Sequence, residues 1–147
     1  MSNQDDEKAL QLLEKAVYKA QDSLEKTQHF QPFMMLLTDT GKIEEYQNEI
    51  NDSTQSYEGL EKQLQERIKK NDIDVVVLVV DTIIPDKFVD DITSGIRVHL
   101  EEKSQRKIKV GARYLYVPYE LCKHKEGDVF VNLYVPIPVG FPAEYIV

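Results

Sequence analysis

The sequence predicts an α+β fold, with two helices packed on a mainly antiparallel sheet of about five to six strands, in the order α-β-(β)-α-β-β-β-β. Three observations lead there. Ile73 to Ile84 is a β-branched run, apolar on both alternating faces, which belongs to a central strand covered on both sides. Two segments carry apolar residues at spacings of three and four, the mark of one-sided helices. Three further runs after Ser94 alternate or cluster like strands and are separated by turn residues. At 147 residues, 41% of them hydrophobic and 30% charged, the chain fits one domain, residues 1–147, with a real core.

The first helix is read from Asp5 to Gln28. Leu10, Leu13, Val17, Ala20 and Leu24 make its stripe, and Asp5, Asp6 and Glu7 sit where the helix dipole favours anions. Phe30 to Thr38 follows as a strand, with Pro32 near its start, where a missing N–H is tolerated. Asp39 to Lys42 signals a turn, and Ile43 to Gln47 reads as a short returning strand. The second helix is read from Thr54 to Lys70, capped by Ser53 or Thr54. Its stripe is Tyr57, Leu60, Leu64 and Ile68.

After the central strand, Pro85 and Asp86 break the pattern. Gly95 to Glu102 then alternates, with Ile96, Val98 and Leu100 on one face and Arg97, His99 and Glu101 on the other. Ile108 to Val117 is the next strand, which Pro118-Tyr119-Glu120-Leu121 leaves. Val129 to Val135 is the last, ended by Pro136-Ile137-Pro138. The tail Val139 to Val147 reads as an extended segment packed on the body.

The formal charge is −8, so nucleic acid and anionic membranes are not the expected partners. The charge is uneven. Residues 97–126 hold 8 bases against 4 acids, set into an otherwise acidic chain. The acidic N-terminus lacks the basic and apolar regions of a signal peptide, and no apolar run is long enough to span a bilayer. With a single cysteine, Cys122, no intrachain disulfide forms, and the cytoplasm is the expected location.

Four groups of residues are candidate sites. Arg97, His99 and Glu101 share a strand face and put a base, an imidazole and a carboxylate in a row, suited to an anion or to proton transfer. Arg113, Tyr116 and Tyr119 are expected nearby. Cys122 and His124 pair a thiol with an imidazole, but no second Cys or suitably spaced His completes a metal or nucleophile site. Asp81, with Asp86, Asp90 and Asp91 beyond it, lacks the spacing of a calcium loop. Tyr114, Leu115, Tyr116 and Val117 are consecutive, so both faces of that strand carry apolar bulk. With Phe130 and Tyr134 on the neighbouring strand, Tyr114, Leu115 and Val117 form an expected interface. No phosphate-binding Gly-rich loop, Gly-x-Ser-x-Gly or His-Glu-x-x-His occurs, and no catalytic residue, metal or cofactor is assigned.

The strand Gly95-Ile96-Arg97-Val98-His99-Leu100-Glu101-Glu102, followed by Tyr116-Val117-Pro118-Tyr119, resembles a pattern in small uncharacterised bacterial α+β proteins. So does Phe30-Gln31-Pro32-Phe33 with Gly41 after it. The resemblance implies a bacterial origin and the same topology, and it carries no assigned activity.

The leading expectation is a non-enzymatic protein-binding domain acting as a homodimer, with an immunity or antitoxin-like role as one version, motivated by the net charge. The alternative is a small-molecule or anion-binding module, or a small enzyme, using the Arg97/His99/Glu101 face. A concave pocket at that face favours the alternative. A flat, self-complementary apolar surface around Leu115 and Val117 favours binding.

Overall fold

A computed structural model describes residues 3–28, 30–83, 94–102, 112–123 and 125–141. For residues 3–6, 83, 112–114 and 141, only the backbone is described. The expected α+β class holds. Two helices, α1 (Asn3–Thr27) and α2 (Ser53–Ile68), pack on seven antiparallel strands. The strands are β1 (Phe33–Thr38), β2 (Ile43–Gln47), β3 (Ile73–Ile83), β4 (Ser94–Glu102), β5 (Ala112–Lys123), β6 (Val129–Leu133) and β7 (Ile137–Phe141). They lie in the order β2-β1-β3-β4-β5-β6, with β7 also beside β5.

β3 sits between β1 and β4, which explains its two apolar faces. Val75, Val77 and Val79 point to one core, and Ile73, Val76 and Leu78 to the other. The helices divide these cores between them. α1 covers the face of Val75, Val77 and Val79, and α2 covers the opposite one. The connectivity brings this about. β2 and β3 both run antiparallel to β1, so α2 is the crossover between them and packs over β1 and β3.

The line that α1 buries differs from the expected stripe. Ala9, Leu12, Ala16, Ala20 and Leu24 are buried, whereas Leu10 is 53% exposed and Leu13 and Val17 are half-buried. Three alanines let the helix approach the valine-rich sheet closely. The expected stripe joined the lower part of this line to a second one, Leu10-Leu13-Val17, about 100° round the helix. α2 buries Leu60 and Leu64, with Tyr57 and Ile68 packed beside them, as its spacing predicts. Its N-cap is Asp52 rather than Ser53 or Thr54. The Asp52 carboxylate accepts the Gln55 N–H at 3.0 Å. At its other end, Arg67 forks between Glu44 (2.8 Å from both Nε and Nη2) and Asp72 (2.5 Å from Nη1), tying α2 to β2 and to the start of β3.

Two expectations about the last strands are corrected. Pro118 does not end β5, which continues to Lys123. The chain after Pro136 is also a strand, so the sheet has seven rather than five to six. β6 and β7 form one broken line along β5. Tyr119 faces Leu133 on one side of the break and Tyr116 faces Ile137 on the other. Between these pairs, two residues of β5 face three of its neighbour, so the break is a bulge. Pro118 explains where it falls. Its carbonyl accepts the Tyr134 N–H at 2.9 Å, but it has no N–H to return the bond. Pro138 is tolerated because β7 has no second strand partner among the described residues.

Candidate functional site

The polar row lies on the α2 side of the sheet. Cross-strand neighbours share a face, and His99 faces Leu78 of the α2 core. Tyr116 faces Arg97 directly and belongs to the same side. Arg97 stacks 5.1 Å from the centre of the Tyr57 ring of α2. His99 and Glu101 are almost wholly buried, 1% and 0% exposed, with Nε2 and Oε2 2.6 Å apart. A strand pattern that reads as a solvated face is therefore an interior hydrogen-bonded pair.

The other expected members do not join this row. Tyr119 is on the α1 side, buried, and its hydroxyl donates to Asp81 Oδ1 at 2.8 Å. Burial and then this bond push the Tyr119 hydroxyl well above the usual tyrosine range. Asp81, Thr82, Ser94 and Tyr119 line a shallow polar recess at the end of β3 and β4. The register pairs Arg113 with Leu100, out of step with the row. Cys122 is half-buried, with Sγ 3.9 Å from the Glu120 carbonyl. His124, Asp86, Asp90 and Asp91 lie outside the described residues. Among the described residues, no three His, Cys, Asp or Glu side chains converge as a metal site needs. No described helix is long and apolar enough to cross a membrane.

The expected interface residues divide as well. Tyr114 faces His99 in the register, and Phe130 faces Cys122 on the sheet side away from α1. Tyr134 spans the break between β6 and β7, with its hydroxyl bonded to Glu120 and to Asn132 Nδ2. Leu115 and Val117 point to the α1 side, where they meet side chains that sequence reasoning had assigned elsewhere.

That meeting place is the apolar flank of α1. Six strands about 4.8 Å apart make a face roughly 24 Å wide, and one helix about 10 Å wide cannot cover it. An open strip is left on each side of α1. Towards β5 it forms a hollow of about 400 Å³ walled by Leu13, Val17, Leu115, Val117, Leu133, Tyr134 and Pro136, with Glu14, Tyr18 and Gln21 at its lip. A second hollow, about 480 Å³, abuts it across Leu13 and Leu115 and reaches Ala9, Leu10, Leu100, Glu102 and Pro138. Leu10 and Tyr18, which line these hollows, are 53% and 69% exposed. This is a contiguous exposed apolar surface of the kind that marks a binding site. Its sequence signal is the second apolar line, Leu10-Leu13-Val17, which a helix needing only one buried face does not require.

The flank towards β1 and β2 is finished differently. Its hollow is larger, about 820 Å³; it shares Glu14 and Tyr18 with the hollow towards β5, and Gln11, Lys15, Lys19, Asp22 and Glu45 line it along with Met35 and Ile43. Lys19 lies 4.7 Å from the centre of the Phe33 ring, with its ammonium 3.9 Å from Glu45. Its stem thus roofs the sheet while its charge reaches water. Among the described side chains, no lysine or arginine lines the flank towards β5.

No protein-family model, curated protein sequence or solved structure matches this chain.

Proposed function

We propose that this chain is a non-enzymatic protein-binding domain and that its partner docks on the apolar flank of α1. One observation carries the reading. Both flanks of the same helix leave a hollow over the sheet, and among the described residues only the one towards β5 is lined almost wholly by apolar side chains, whereas Lys15, Lys19, Asp22 and Glu45 line the other. The alternative, an anion site or small enzyme at Arg97, His99 and Glu101, is disfavoured by burial. The imidazole and the carboxylate are bonded to each other and expose almost no surface to a solute.

The partner we propose is a different, basic chain. The flank is concave rather than flat, and two copies each carrying −8 repel one another. An immunity or antitoxin-like role, in which a small acidic domain covers a basic protein, belongs to this proposal. So do the bacterial origin and cytoplasmic setting suggested by the sequence. A homodimer through the same flank is the rival occupant, and light scattering separates the two. A mass of 17.0 kDa supports the heteromeric reading. Twice that mass, reduced to one chain by Leu115→Glu, makes the occupant a second copy. A melting temperature raised by phosphate, nucleotides or dicarboxylates, with the rise lost in Arg97→Ala, overturns the proposal in favour of the polar row.

A further inference from the structure

We infer that the occupant of this flank is an amphipathic helix of about three turns whose apolar stripe is bordered by Lys or Arg. This rests on the docking reading above and specifies the shape and charge of the partner.

Length and width come first. The two hollows run along α1 from Ala9 to Gln21, about 18 Å at 1.5 Å per residue, which a helix of about 12 residues matches. Packed helices lie about 8–10 Å apart, so a helix beside α1 sits over β5 and β7, since the C-terminal end of α1 already covers β6. The ridge of Leu13 and Leu115 divides the strip into two seats, the arrangement that successive anchors at i and i+4 or i+7 fill.

Strand addition is the other common way to extend such a sheet, and the nearby edge is poorly suited to it. Because the Tyr134 N–H points to β5, the alternation of the ladder turns the Val131 N–H outward. That outward N–H is taken by Glu25 Oε2 of α1 at 2.8 Å. Further along, Pro138 offers no N–H at all. An incoming strand meets an edge with one N–H already taken and one position without any, whereas an incoming helix satisfies its own backbone.

Charge completes the description. Glu14 is exposed at the lip of the first hollow, Glu102 lines the second, and no Lys or Arg side chain is among the described ones lining either hollow. A helix with basic borders complements these acids, which favours steering and register.

The test is a fluorescence-anisotropy titration of the full chain with three designed peptides of equal length. One is a helix with a Leu stripe and Lys borders, one has the same stripe with Glu borders, and one alternates Thr and Val to favour a strand. The inference predicts that the Lys-bordered helix binds at least tenfold more tightly than the Glu-bordered one and that the strand peptide does not bind. Glu14→Lys should cut that preference several-fold, while Glu58→Lys on α2, the same charge change on the other side of the sheet, should leave it intact. Val17→Lys, with its fold checked by thermal melting, should weaken both helices. Equal binding of the two helices, or tighter binding of the strand peptide, overturns the inference yet spares the docking reading if Val17→Lys still weakens the interaction. Binding that ignores Val17→Lys, or no binding by any peptide, overturns both.

Discussion

The two flanks of α1 cover similar sheet surface and end differently. Towards β2, Lys19 lies over Phe33 and reaches Glu45, so charged side chains border the open strip. Towards β5, Leu13 and Val17 face Leu115 and Leu133 with no charged roof among the described residues. A sheet six strands across, under one helix on this face, leaves both strips open by geometry alone. What distinguishes them is the side chains placed beside them, and a strip left apolar is exposed hydrophobic area that a soluble monomer tends to avoid.

The sharpest contrast uses adjacent residues of one helix. Leu12 is fully buried and Leu13 only half-buried at the flank. Leu12→Ala should cost about 3 kcal/mol in urea denaturation, and Leu13→Ala about 1 kcal/mol or less. Equal losses would mean that the flank is ordinary core.

The polar flank depends on β2, which carries Ile43 and Glu45 and is held by the fork from Arg67 to Glu44. Hydrogen bonds from Arg67 and then Tyr46 hold Glu44 at about 2, below the usual carboxylate range. A depressed acid contributes stability above its unfolded value of 4.5, and that contribution fades as pH falls toward about 2. Arg67→Ala should therefore lose about 1–2 kcal/mol at neutral pH and flatten the acid side of the stability curve in this window.

A smaller effect tests the roof itself. Lys19→Ala should cost about 0.5–1 kcal/mol and open a second apolar strip. With Nile red, a neutral dye, the native chain should show one class of site and the variant two. An unchanged dye titration would mean that Lys19 roofs nothing.

Much of this fold was legible in the sequence. β3 showed itself because both of its alternations are apolar, and α2 because its stripe is single and unbroken. β5 is cut short and β7 missed in the sequence because proline reads as a stop. Pro118 sits at a bulge and Pro138 on an edge, the two places where a missing N–H costs little. The site was half legible. Tyr114-Leu115-Tyr116-Val117 announced a strand with too much apolar surface for one core. Leu13 and Val17 hid inside a stripe drawn through Ala20 and Leu24, because a sequence window does not show which of two adjoining lines faces the sheet. Burial of His99 and Glu101 was not legible either, since a polar alternation looks the same whether water or a partner side chain neutralises it.

Mapping amide shifts on the labelled chain during titration with the Lys-bordered helix tests the central claim most directly. The account predicts shifts gathered on Leu13, Val17, Leu115, Val117 and Leu133, with Lys15, Lys19, Ile43 and Glu45 unmoved. Shifts centred on the Lys19 flank, or spread evenly over the acidic surface, would contradict it.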